Sequence, residues 1–138
     1  MKKSNHTISM DINTSPEAAW NVIGAVKGVD QWLAPITDCR VEGTKRICTT
    51  AEGDFLEDIL KIDHENRVFK YGIPSQHMVP VSNIVGQMSV SETQTGNAKV
   101  VWSWEFDVEE ENETTAKETL SMVGGMGIQG IETLINQN

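Results

Sequence analysis

The sequence predicts an α+β fold: a curved antiparallel sheet of about six to seven strands, two short helices after the first strand, and one long C-terminal helix against the sheet. Three observations carry this. From Ile36 to Val108, short alternating segments follow one another with turn residues between them. No amphipathic helix interrupts that run, so the strands join as hairpins and not as the crossovers of a parallel sheet. After Val108 the pattern changes to helical period and keeps it to the end.

The elements follow in order. Residues 7–12 alternate, with Ile8, Met10 and Ile12 on one face, which is strand period. Thr14-Ser15-Pro16-Glu17 then opens a helix: Ser15 suits the cap, Pro16 the first turn, and Glu17 the positive helix end. Ala19, Trp20, Ile23 and Val26 continue at helical spacing, although Gly24 and Gly28 weaken the helix. A second short helical piece through Val29, Trp32 and Leu33 ends at Pro35. Strands are expected at 39–41, 46–50, 54–62, 68–73, 81–92 and 99–108, with turns near Gly43, Glu52-Gly53, Asp63–Asn66 and Thr95–Asn97. In the last strand Val100, Trp102, Trp104, Phe106 and Val108 share a face. The acidic run Glu109–Glu113 reads as a solvated lead into the final helix, with Thr115 and Glu118 as a capping box and the helix running to about residue 136.

Composition bounds the function. A chain of 138 residues is one domain by length, taken as residues 1–138. Eleven Lys and Arg against 20 Asp and Glu give a net charge of -9, which disfavours nucleic acid and anionic membrane surfaces as partners. No apolar run is long enough for membrane insertion, and the first residues lack the apolar core of a secretory signal, so the expected location is cytoplasmic. The sequons at Asn5, Asn13 and Asn112 are read as coincidental, and Cys39 and Cys48 as reduced thiols. His6, His64 and His77 are scattered, so neither metal nor cofactor is expected.

Two features could carry chemistry. Gly124, Gly125, Gly127 and Gly130 lie within seven residues of the last helix, each costing on the order of 1 kcal/mol against Ala. They either break the helix, let it approach the sheet closely, or leave volume for a ligand above Trp102 and Trp104. The second feature is Glu57, which shares a strand face with Phe55 and Ile59. A tight turn at Ala51-Glu52 sets Arg46 opposite Glu57, whereas a turn at Glu52-Gly53 sets Arg46 opposite Ile59. The pair is thus either a surface salt bridge or a polar pair on a cavity wall.

Several segments together resemble the SRPBCC superfamily, which includes START-type lipid-transfer domains and the birch-pollen-allergen fold. They are residues 12–20 (INTSPEAAW), Gly43–Arg46, Phe55–Asp63, Arg67–Tyr71, Pro80, Trp102–Phe106 and the helical tail. Within it the pattern is similar to the polyketide cyclase/dehydrase branch, with MxaD-like and lachrymatory-factor-synthase-like proteins. The resemblance implies a helix-grip fold with a hydrophobic cavity between sheet and C-terminal helix. In the lachrymatory synthase group an arginine and a glutamate on neighbouring strands face the cavity and assist a proton transfer; the matching positions are Arg46 and Glu57.

The leading expectation is therefore binding of a small hydrophobic or amphipathic molecule, such as a lipid, polyketide or isoprenoid. Trp32, Phe55, Tyr71, Trp102 and Trp104 would form the walls with Val123, Gly124 and Gly127 of the helix. The alternative is a cyclase, dehydratase or isomerase with Glu57 as proton carrier and Arg46 as charge stabiliser. A further alternative is a protein-interaction domain with a vestigial cavity. The ligand and the oligomeric state are not legible in these residues.

Overall fold

The computed structural model describes residues 1–137. Strand β1 (Lys2–Ile12) leads to helix α1 (Pro16–Ile23) and a single 3-10 turn at Val29–Gln31. Six strands follow: β2 (Asp38–Glu42), β3 (Lys45–Thr50), β4 (Gly53–Asp63), β5 (Val68–Ile73), β6 (Val81–Glu92) and β7 (Ala98–Val108). A second 3-10 turn at Glu110–Asn112 runs into helix α2 (Glu113–Asn136). All seven strands form one antiparallel sheet in the order β1-β7-β6-β5-β4-β3-β2, so every neighbour but β1–β7 is a hairpin. Ser15 caps α1 through Oγ to the Ala18 N–H at 3.1 Å, with Pro16 in the first turn.

Register directs the inner face. Ile8 lies opposite Trp102, and Met10 opposite Val100. Across the other side of β7, Trp102 faces Met88 and Trp104 faces Gly86. Trp20 and Ile23 of α1 join Leu120, Ile128 and Ile131 of α2 in the same buried core. No helix among the described residues is long and apolar enough to cross a membrane.

Three boundaries differ from expectation. β1 begins at Lys2, not Thr7, because its polar half is held by charge: Lys2 pairs with Glu113 at 2.8 Å and Lys3 with Asp107 at 3.2 Å. Such pairs leave no apolar alternation to read. α2 begins at Glu113, so Thr115 and Glu118 are not a capping box. Thr115 sits inside the first turn, where its carbonyl accepts from Thr119 Oγ1 at 3.0 Å. The second short helix is only the three-residue 3-10 turn.

Helix α2 is continuous through its glycines. Close approach is the reason for three of them. A Cβ on Gly124 would meet Ile8 Cδ1 at 2.5 Å and Trp104 Cη2 at 2.7 Å, one on Gly127 would meet Trp102 and Trp32 at 2.9 and 3.0 Å, and one on Gly130 would overlap the Trp32 carbonyl. A Cβ on Gly125 meets nothing within 4 Å. Burial of indole surface thus offsets the propensity cost at Gly124 and Gly127, while Gly130 makes room for the Trp32 backbone.

These glycines make opposite predictions. Gly125→Ala removes unfolded-state entropy without a clash and raises stability by about 0.5–1 kcal/mol. Gly130→Ala forces backbone from backbone and lowers it, despite the same gain in propensity. Thermal unfolding of the two variants checks this; equal shifts would mean the helix does not depend on that contact.

Candidate functional site: a buried ion pair beside an apolar cavity

The site is built on the β3–β4 hairpin. Thr50 pairs with Gly53 around Ala51-Glu52, and Gly53 takes φ 117, a value most side chains avoid. This is the first of the two registers, and it sets Arg46 directly opposite Glu57. Both side chains point inward, at 6% and 5% exposure. Arg46 donates from Nε to Glu57 Oε1, and its Nη2 closes the ion pair on the same oxygen. The third guanidinium nitrogen, Nη1, donates to the Val26 carbonyl at 2.9 Å. The guanidinium carbon stands 4.9 Å from the Phe69 ring centre and 5.2 Å from that of Tyr71, within cation–π range.

Val26 is itself unusual. The Lys27 N–H donates to the Ala25 carbonyl at 2.8 Å, closing a three-residue turn around Val26 at φ 70. Left-handed backbone at a β-branched residue costs on the order of 1–3 kcal/mol. Here it turns a main-chain acceptor toward a buried cation.

Glu57 borders a cavity of about 100 Å³ between the sheet and α2. Its walls are almost wholly apolar: Leu33 and Ile36 from the segment after the 3-10 turn, Tyr71, Trp102 and Trp104 from the sheet, and Leu120 and Val123 from α2. All described hydrogen bonds to Glu57 fall on Oε1. Oε2 is the carboxylate oxygen with no described bond, on a residue that borders the cavity. Burial pushes the Glu57 carboxyl above the ordinary carboxylate range, and the Arg46 guanidinium draws it back. Burial likewise pushes the Tyr71 phenol up.

The aromatic wall is fixed by its own contacts. Trp102 Nε1 donates to the Tyr71 hydroxyl at 2.9 Å, and the Trp102 and Trp104 rings stack at 5.1 Å. Tyr71 lies across Gly86 of the next strand, where any Cβ would overlap its ring.

Phe55, Tyr71, Trp102, Trp104 and Val123, expected as walls, border the cavity. Gly124, Gly127 and Trp32 do not. The glycine faces are filled by indole rings and by Ile8, so they leave no volume for a ligand. Trp32 packs edge-on against Trp102 at 6.0 Å with its N–H buried and unpartnered among the described residues. Arg46 stands behind Glu57 and not on the wall. The histidines serve separate contacts: His6 meets Ser121 at 2.5 Å, His64 accepts from Trp20 at 3.1 Å, and His77 borders an outer groove. No metal-holding group of three or more ligands occurs among the described residues.

Sequence reasoning put Val26 at helical spacing, whereas α1 ends at Ile23 and Val26 lies beyond it at φ 70, and it gave no role to Gly86 or to Gln76 in its loop. Gln76 Oε1 accepts from the N–H groups of Met78 and Val79, and its Nε2 donates to the carbonyls of Val79 and Val81, all within 3.1 Å. Only the mid-strand glycine gave a readable signal. Phe55, Gln76 and Met78 border both the cavity and an outer groove of about 320 Å³ that also exposes Glu52 and Asp54.

A sheet wrapped on a long C-terminal helix, with a cavity between them, defines the helix-grip α+β domains of the SRPBCC superfamily. The chain belongs to the family described as "Polyketide cyclase / dehydrase and lipid transport", whose sequence model matches residues 5–133. The protein XoxI from Bacillus cereus has a similar structure: TM-score 0.86 at 24% identity, over 97% of this chain and 96% of that one. A protein from Bacillus thuringiensis gives 0.85 at 22%, over 96% and 98%. Truncated norcoclaurine synthase from Thalictrum flavum gives 0.76 at 16%, over 99% and 96%. These likenesses establish the fold alone. No curated protein sequence matches the chain.

The ion pair makes a double-mutant prediction. Arg46→Met or Glu57→Leu alone strands a buried group and costs about 3–5 kcal/mol, whereas the double variant costs far less than the sum. Urea unfolding of the four proteins measures this, and simple additivity would show the two groups to be independent. The sign with pH follows from the raised carboxyl. Its contribution is full below the unfolded midpoint near 4.5 and is lost as pH rises through the higher folded midpoint. Wild type therefore gains on the double variant as pH falls through that window.

Proposed function

We propose that the chain, residues 1–138, is one domain that binds a small apolar or amphipathic molecule carrying a hydrogen-bond donor. One observation carries the reading: Glu57 borders an otherwise apolar cavity with one carboxylate oxygen unclaimed. A family described by cyclase, dehydrase and lipid-transport activities supports it. The cavity, at about 100 Å³, suits one aromatic ring or a short chain. A longer ligand would pass Phe55 and Met78 into the outer groove.

Charge narrows the class. Arg46 turns its three nitrogens to Glu57 and Val26 and does not border the cavity, so a ligand there meets a carboxylate and not a guanidinium. Glu52 and Asp54 add negative charge to the outer groove. Phenols, alcohols and amines fit this; fatty acids do not. Phenol-type probes should quench Trp fluorescence and raise the melting temperature. The matching benzoates should bind at least about tenfold more weakly, because juxtaposed like charges cost several kcal/mol. Equal affinity for both series would remove Glu57 as the anchor.

The raised Glu57 carboxyl favours a second reading, a cyclase, dehydratase or isomerase in which Glu57 moves a proton and Arg46 stabilises charge. In that case Glu57→Gln abolishes turnover while phenol binding persists. Equal turnover in the two proteins would leave binding alone.

A further inference from the structure

Cys39 and Cys48 face each other across β2 and β3, with Sγ atoms 3.2 Å apart and both thiols free. Register explains the approach. The hairpin closes on Glu42 and Lys45 around Gly43-Thr44, and alternation from that pair makes Cys39 and Cys48 a non-hydrogen-bonded pair. The Cys39 carbonyl agrees: it points away from β3 and accepts from the Gly28 N–H at 3.2 Å. Directly opposed residues of this kind have Cα atoms about 4.5 Å apart, inside the range a disulfide spans.

The two thiols differ in access. Cys39 keeps 6% exposure and borders an open groove of about 380 Å³ together with Asn21, Lys27, Asp30 and Gln31. Cys48 keeps 1% and borders neither this groove nor the central cavity.

We propose that Cys39 and Cys48 form a thiol–disulfide exchange site for low-molecular-weight disulfides, with Cys39 attacking and Cys48 resolving. Cys39 thiolate attacks one sulfur of a disulfide RSSR, giving a Cys39–SR mixed disulfide and releasing RS⁻. Cys48 then attacks Cys39 Sγ, its proton passing to the released thiolate. The second RS⁻ departs as the Cys39–Cys48 bond forms and takes up the Cys39 proton. Two protein thiols are oxidised, and one RSSR is reduced to two RSH. The surroundings support this order of events. Hydrogen bonds from Cys48 and from the Val29 N–H, with the Arg46 charge nearby, bring the Cys39 thiol down to about 7. Cys48 is pushed up by its bond to Cys39 and by burial.

Glutathione disulfide is the probe, with intact mass and thiol alkylation as readouts on the folded protein. Wild type should lose both free thiols, gain no glutathione and stay monomeric on a non-reducing gel. Cys48→Ala should trap one glutathione on Cys39, and Cys39→Ala should react at least about tenfold more slowly than wild type. Circular dichroism confirms that each variant is folded, and Cys48→Ser replaces Cys48→Ala if the latter is not. Three results would overturn the proposal. One is wild-type thiols that persist where the urea-unfolded chain reacts fully. The others are a trapped adduct on Cys48 in wild type, and intermolecular dimers in place of the internal bond.

Discussion

Taking the Glu57 carboxylate out of water is the constraint on which this site depends. An ionised group at 5% exposure needs a partner, and one strand away Arg46 supplies it. Arg46 is then equally buried and needs acceptors of its own. Oε1 takes two of its nitrogens, the Val26 carbonyl takes the third, and the Phe69 and Tyr71 rings lie beside its plane. The strained turn at Val26 is the far end of that chain of demands. A hydrophobic pair would have met the packing requirement with less strain. Retaining charge here is what makes the site a candidate for chemistry and not only for stability.

The second constraint is the distance between α2 and the sheet. Indole rings projecting from β7 would hold an ordinary helix away. Gly124, Gly127 and Gly130 remove the side chains that would collide, so the helix settles onto Ile8, Trp102, Trp104 and the Trp32 backbone. The same fit explains the small cavity. It lies toward the Leu120 end of α2, where Leu120 and Val123 face Tyr71, Trp102, Trp104 and Glu57 of the sheet.

Much of the fold was legible because sheet alternation and helix period are local signals. Val100 to Val108 could hardly be read otherwise. Lys2 to His6 could not be read as strand, since pairing to β7 and polar contacts, the Lys2 and Lys3 ion pairs and the Ser4–Glu113 and His6–Ser121 contacts, hold them in place of apolar alternation. The Arg46–Glu57 pairing was half legible: its residue types were visible, but one residue of turn placement decided the register. The glycines showed that something lay close to the helix without showing whether it was ligand or indole. Val26 acts through its carbonyl on a side chain twenty residues away, and Gln76 on main-chain groups two to five residues ahead of it; no apolar period announces either.

The cavity's two sides differ in stiffness, and this bears on how a ligand could enter. On the sheet side the Trp102–Tyr71 hydrogen bond and the close seat of Tyr71 on Gly86 fix the wall in one rotamer. At the mouth, the loop between β5 and β6 has little regular structure, yet Gln76 satisfies three of its backbone groups and the carbonyl of Val81 at the start of β6. Moving that loop would leave those groups unpaired at roughly 1–3 kcal/mol each if they stayed buried. Rotating Phe55, which is half-buried, or Met78, which is 45% exposed, breaks no such bonds. Opening by side-chain rotation is therefore the cheaper route. It joins the inner cavity to the outer groove while the carboxylate and its guanidinium stay in place.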